Sequence, residues 1–190
     1  MKKGSDRTRE KILRAAEQLF GQKGFYNTSV MEIAQKAGVG YGTFYLYFKS
    51  KDDIYKQLVR YLNHMLRYTI HKEISRLESR KEMEKAGFAA FFKFVHRHPH
   101  LYRIVLESDE VNKRIGKWYY KKIAERYQQG LEMAMKKGEI REGDPKMIAY
   151  CLMGVAHMIG NYCVFYEERE PTEKEFETVM QFILYGLVGH

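Results

Sequence analysis

The 190-residue chain is predicted to be all-α. An N-terminal three-helix domain containing a helix-turn-helix (residues 1–50) is joined by a long helix to a C-terminal helical domain (residues 51–190). Three observations carry this prediction. Apolar residues recur at helical spacing along the chain, with no strand alternation and no internal repeat. Helix-start signals (Ser/Thr capping boxes, an Asp-Pro pair) and helix-stop glycines fall at the ends of those periodic runs. Hydrophobic content of 45% and charged content of 30% are globular values, not disordered ones.

Residues 1–5 read as a short basic arm. Asp6 or Thr8 opens the first helix, which carries Ile12, Leu13, Ala16, Leu19 and Phe20 on one face and closes at Gly24. Phe25 is expected to pack beneath the next two helices. Ser29 with Glu32 forms a capping box, and Val30, Ile33, Ala34 and Ala37 give the second helix its apolar stripe. Gly38 ends it, because glycine adopts positive φ without steric cost. A third helix runs from about Gly40 to Tyr47. This is the layout of a helix-turn-helix, whose second helix enters a major groove.

At about 100° per residue, Phe44 and Phe48 share the inward face of that helix. Gly42, Thr43, Tyr45 and Leu46 point away, flanked by Tyr41 and Tyr47. The outward face carries no acid and has short or flat side chains, so it can approach DNA closely. Thr43 suits a base edge or phosphate, and Leu46 a thymine methyl. The tyrosine hydroxyls and Lys51 suit phosphate oxygens. Charge placement agrees. The net charge is +9, and residues 1–51 hold ten Lys or Arg against four Asp or Glu. A helical hairpin whose tyrosines merely cover a core is the plain alternative.

The run IAQKAGVGYGTFYLYFKSKDDIY, with ILRAAEQLFGQKGFYNTSV upstream of it, resembles the signature of the TetR family of regulators. The resemblance covers about the first 60 residues; beyond residue 80 it rests on length and helical pattern. It implies DNA contacts from Thr28 and Ser29 at the entry of the second helix. It implies others from Tyr41, Gly42, Thr43, Tyr45 and Tyr47 on the recognition helix, and from Lys51 after it. Position 40, often serine in the family, is Gly40 here, a weaker but accepted N-cap that offers no side-chain contact.

Ser50 and Asp53 box the start of a long helix, about 51–78, with the stripe Ile54, Leu58, Tyr61, Leu62, Met65 and Thr69. It is the natural mechanical link between the domains. A helix over 80–97 carries Phe88, Phe91, Phe92, Phe94 and Val95, on nearly all sides. Pro99 starts a short helix through Leu106. Ser108 or Asp109 caps a helix over about 110–137 with Ile115, Tyr119, Ile123, Tyr127 and Leu131, ended by Gly138. Asp144-Pro145 opens a helix to about Tyr166, and Thr172 with Glu175 boxes the last. These two helices are read as a dimer interface, a four-helix bundle with their symmetry mates. Gly154, Gly160, Met180, Ile183, Leu184 and Leu187 are its expected contacts. The resemblance implies the same arrangement.

No P-loop, dinucleotide fingerprint or G-x-S-x-G occurs, so an enzyme is not expected. His96, His98 and His100 form an H-x-H-x-H run interrupted by Pro99. The run sits at a helix junction, where a surface loop is expected; metal sensing is the alternative, and no Cys or acid stands nearby to complete a site. No cofactor or metal is therefore assigned. Cys151 and Cys163 lie about 18 Å apart along one helix, too far for a disulfide. Both are expected free and buried, with redox sensing as the alternative. No apolar run approaches the roughly 20 residues that span a bilayer, and no signal-peptide h-region follows the basic N-terminus. A cytoplasmic protein without membrane partners is expected.

His157 and Asn161 form an i, i+4 pair, either a satisfied core pair or a polar contact in a ligand cavity. The C-terminal part is rich in aromatics and Met, which fill irregular cores and also line adaptable pockets. The resemblance implies a pocket among the middle helices for a bulky, largely apolar ligand. Its candidate lining is Phe88, Phe92, Trp118, Tyr119, Ile123, Tyr127, His157 and Asn161. The expected function is a homodimeric, ligand-responsive transcriptional regulator, a repressor released from a pseudo-palindromic operator by an apolar small molecule. An effector-independent architectural DNA-binding protein and a metal-sensing regulator are the rivals.

Overall fold

The computed structural model describes residues 2–187, with side chains from Asp6 onward. The described residues form ten α-helices and one π-helical turn, and no strand. In order these are α1 (Lys2–Lys23), α2 (Val30–Ala37), α3 (Tyr41–Tyr47), α4 (Lys51–Ile74), α5 (Arg80–Arg97), α6 (Pro99–Leu106), α7 (Ser108–Val111), α8 (Lys113–Lys136), α9 (Pro145–Asn161), the π turn (Tyr162–Tyr166) and α10 (Glu173–Tyr185). The side chains of the expected basic arm lie outside the description; the backbone from Lys2 is helical and belongs to α1.

The chain folds as two compact units. One comprises the residues up to Asn63 with His98–Tyr119, the other His64–Arg97 with the residues from Tyr120 onward. Packing thus divides the chain differently from the 1–50 and 51–190 split drawn on function. In the first unit α1 packs on α2 and α6, and α2 on α3. Gly21 allows the α1–α6 approach: a Cβ there would sit 2.3 Å from the Cβ of His100. Phe20, Phe25 and Tyr55 meet with ring centroids 5.0–5.6 Å apart. The buried Tyr55 hydroxyl donates to the Ile104 carbonyl at 2.6 Å, tying α4 to α6.

In the second unit α5 packs on α9 and α10. Phe88, Phe92 and Met180 form its buried centre, with Phe91, Leu152, Ile159, Phe176 and Ile183 around them. Beside it Glu84 accepts from the Arg80 guanidinium (Nε to Oε1 2.8 Å) and from the Tyr127 hydroxyl. Burial and the adjacent Glu84 carboxylate both push the Tyr127 phenol pKa up.

Several caps stand where the sequence places them. Gly38 has φ 67°, Asp144 accepts from the Lys146 and Met147 amides, and Thr172 with Glu175 completes its box. The expected helix over 110–137 is instead two. Extended backbone at Asn112 (φ −156°) separates α7 from α8, and the Asn112 side chain accepts from the Ile115 amide at 3.2 Å. Asparagine competes for exactly this role, because its side chain offers the backbone a cap. The Ser50 box is half formed. Ser50 caps the Asp53 amide, but the Asp53 carboxylate turns back to the Lys49 amide.

Candidate nucleic-acid interface

α2 and α3 are held so that one face of α3 is free. Phe44 and Phe48 are fully buried, 5.7 Å apart between centroids, and fix the rotation of α3. Tyr41, Gly42, Tyr45 and Leu46 are exposed, Leu46 at 81%. Thr43 and Tyr47 are half-buried on the flanks. The Tyr41 and Tyr45 hydroxyls share a hydrogen bond at 3.0 Å, and their rings meet edge to face at 5.3 Å. Two otherwise mobile aromatics are therefore mutually oriented on the exposed surface. A Cβ at Gly42 would meet nothing within 4 Å.

The entry of α2 is built around Glu32. Its carboxylate accepts from the Ser29 amide and hydroxyl, each at 2.8 Å, while Ser29 Oγ accepts from the Glu32 amide at 3.2 Å. The Lys23 ammonium also donates to Glu32, linking the end of α1 to the start of α2. The Lys23 hydrogen bond, then those from Ser29, hold the Glu32 carboxyl down at about 2. The network is therefore charged at any pH where a nucleic acid would be bound.

Two expected contact residues are placed differently. Thr28 is 1% exposed and its hydroxyl donates to the Gly24 carbonyl at 2.8 Å, so its side chain cannot reach a phosphate. This corrects the expectation for Thr28: its hydroxyl closes the turn after α1. Lys51 is partly buried, and its ammonium donates to the Phe25 and Thr28 carbonyls at 2.9 and 2.8 Å. Met31 on α2 and Tyr26 in the preceding turn are also exposed. The Tyr26 hydroxyl donates to the Glu110 carbonyl at 3.2 Å.

The pocket candidates divide between the units. Trp118 and Tyr119 lie in the first. There the Arg60 guanidinium stands 5.9 Å from the Trp118 ring, and Asn63 Nδ2 donates to the Tyr119 carbonyl at 3.2 Å. The second holds Phe88 and Phe92 in its buried centre, Tyr127 on Glu84, and Ile123, His157 and Asn161 half-buried. The His157 ring meets Tyr120 at 6.1 Å, and burial lowers its pKa. His96 ends α5 while His98 and His100 begin α6. This is the helix junction at Pro99 where the run was expected, and among the described residues no three His, Cys, Asp or Glu side chains converge on a metal-sized point.

α9 carries an apolar face that its own chain leaves open: Met147, Tyr150, Cys151, Gly154 and Met158, continued by Tyr162. The spacing 147, 151, 154, 158 is one helical stripe. Cys151 is on it, which corrects the expectation that both thiols are buried; Cys163 is buried. Of the expected interface residues Gly154 and Leu187 are exposed and Ile183 and Leu184 half-buried. Gly160 and Met180 are buried within the chain, Met180 at 2%, and are withdrawn from the interface. α10 uses the side bearing Met180 for its own core, and periodicity alone could not say which apolar face turned inward. The span Pro145–Tyr166, 22 residues with mean hydropathy 1.5, is long and apolar enough to cross a membrane by length and composition. That corrects the expectation that no such run exists.

Residues 12–58 match a sequence profile of bacterial regulatory proteins of the tetR family. An uncharacterised HTH-type transcriptional regulator of Bacillus subtilis, YdgC, is 25% identical over 195 residues, covering 99% of this chain and 96% of YdgC. The crystal structure of the transcriptional regulator FadR from Bacillus subtilis in complex with stearoyl-CoA superposes with TM-score 0.85 at 22% identity, covering 94% of this chain and 99% of FadR. AibR in complex with isovaleryl coenzyme A and operator DNA gives TM-score 0.74 at 18% identity, covering 95% and 100%. At those identities the two structures speak to the fold.

Proposed function

This chain belongs to the TetR family of bacterial regulatory proteins, and from that premise we propose that it is a homodimeric, cytoplasmic repressor released from a pseudo-palindromic operator by an acyl thioester of coenzyme A. The observation that carries the DNA-binding part is the exposed, acid-free face of α3, held outward by the buried Phe44 and Phe48. Residues 1–50 serve DNA binding, and residues 51–190 serve effector binding and dimerisation. The first amides of α2 meet phosphates, and the exposed Ser29 stands beside them with its amide and hydroxyl held on Glu32. Tyr41, Gly42, Thr43, Tyr45, Leu46 and Tyr47 face the groove, with Tyr hydroxyls on phosphates and Leu46 against base methyls.

Dimerisation places two such helices in successive major grooves. The open apolar stripe of α9, with α10 beside it, is the surface assigned to the second copy; this also accounts for the apolarity of residues 145–166 without a membrane. In the second unit the proposed effector contacts are Phe88, Phe92, Ile123, Tyr127, His157 and Asn161, an aromatic lining suited to an acyl chain. The thioester class is supported by the ligands in complex with FadR and AibR, stearoyl-CoA and isovaleryl coenzyme A. α4 runs unbroken from the first unit into the second and is the element through which effector binding would move the DNA-binding helices. Linkage requires DNA to weaken effector binding by the factor by which effector weakens DNA binding.

The test is release of a labelled operator duplex, followed by fluorescence anisotropy. Stearoyl-CoA or isovaleryl coenzyme A is expected to lower affinity about 5- to 150-fold, the usual span of allosteric coupling, while free coenzyme A leaves it unchanged. Operator binding that neither thioester alters would contradict the effector class.

A further inference from the structure

Resting on the DNA-binding reading, we propose that Lys51 is a positioning residue: it acts on DNA through the α1–α2 turn, not by touching a phosphate. Lys51 is the first residue of α4 and lies three residues beyond Phe48, the C-cap of α3. Its ammonium donates to the Phe25 and Thr28 carbonyls at 2.9 and 2.8 Å and stands 4.2 Å from the centroid of the Phe25 ring. Two of its three protons are thus committed to its own chain and its charge lies against a ring face. Among the described residues no carboxylate lies within ion-pair distance of it. Burial lowers its pKa, as expected for an ammonium drawn off the surface, with Asp52 and Glu32 acting the other way.

What the ammonium holds is specific. The Phe25 carbonyl also accepts from the Thr28 amide at 3.2 Å, so Lys51 grips both ends of the turn that delivers Ser29 to the start of α2. The Thr28 hydroxyl locks the same turn from the other side, through the Gly24 carbonyl. Lys51 therefore closes a loop from the end of the recognition helix, through the first residue of α4, back to the N-cap of α2. One proton of the ammonium stays uncommitted, and drawing the charge off the ring and the two carbonyls onto a phosphate would cost the bonds that place Ser29. α4 is one continuous helix from Lys51 to Ile74, and its first residue is the one bonded to these two carbonyls.

The test compares Lys51→Met and Lys51→Arg with the wild type in operator binding across a salt series, each variant first shown to unfold cooperatively. A phosphate contact contributes about 0.9 to the slope of log affinity on log salt and would survive replacement by arginine. A positioning role predicts the reverse. Lys51→Met binds about tenfold more weakly with an unchanged slope. Lys51→Arg is also weakened, because a planar guanidinium does not seat where one ammonium bridges two carbonyls over a ring. A slope reduced by about one unit in Lys51→Met, or wild-type affinity in either variant, overturns the proposal. If Lys51→Met does not fold, Lys51→Arg decides alone, on whether its affinity falls. Failure of the DNA-binding reading itself would look different: the wild type would show no site-specific binding.

Discussion

Met158→Glu is expected to yield a folded monomer whose affinity for a two-half-site operator is at least about 100-fold below that of the wild type. Met158 is 63% exposed in the single chain and sits in the C-terminal half of the apolar stripe of α9, one turn from Gly154. A glutamate there costs the isolated chain little, because the position makes few contacts within it. Between two copies it buries a pair of like charges across a two-fold axis, since an isologous interface repeats each residue. Loss of the dimer removes the second recognition helix from the same operator. Tethering two binding modules is worth about 10²–10⁴ in affinity, and that factor disappears. Light scattering gives the mass and anisotropy the affinity. A variant that stays dimeric would show that another face joins the copies.

Glu84→Ala is expected to destabilise the second unit by about 3–5 kcal/mol, the usual result of removing one partner of a buried ion pair. Glu84 and Arg80 side chains are 8% and 10% exposed, so solvent screens the pair little. The alanine variant strands the Arg80 guanidinium, which stands 5.4 Å from the Tyr127 ring centroid, and leaves the Tyr127 hydroxyl without its acceptor. The Arg80 backbone amide donates to Glu139 at 2.8 Å, a bond the substitution leaves in place. Glu84→Gln keeps a hydrogen-bonding amide and should lose less. Urea denaturation of both variants measures the difference. A loss below about 1 kcal/mol, the usual ceiling for an exposed pair, would mean that the pair is effectively solvated.

The sequence carried the elements that depend on local signals. The Ser29–Glu32 and Thr172–Glu175 boxes, the Asp144-Pro145 start and the glycine at position 38 are short-range chemistry. So was the rotation of α3, because two phenylalanines four apart settle which side faces inward. Asn112 is masked in the sequence because Ser108 and Asp109, just before it, offer a cap for a single helix, which hides the break between α7 and α8. Thr28 and Lys51 illustrate another limit. Both have the right chemistry for a phosphate, and only the fold reveals that carbonyls of their own chain have taken their donors. Met180 and Gly160 turned inward because α9 and α10 are apolar on more than one side. Periodicity marks such faces without ranking them. For the effector region the sequence supplied composition, and composition does not fix which aromatics share a unit.

The central claim, a dimeric reader of a two-fold-symmetric DNA site, is tested most directly by selecting bound sequences from random duplex DNA with the purified protein. The expected result is an enriched motif with two inverted half-sites, centred about 10 base pairs apart or a multiple of that. Retention of duplex DNA with strong salt dependence and no enriched motif would contradict it.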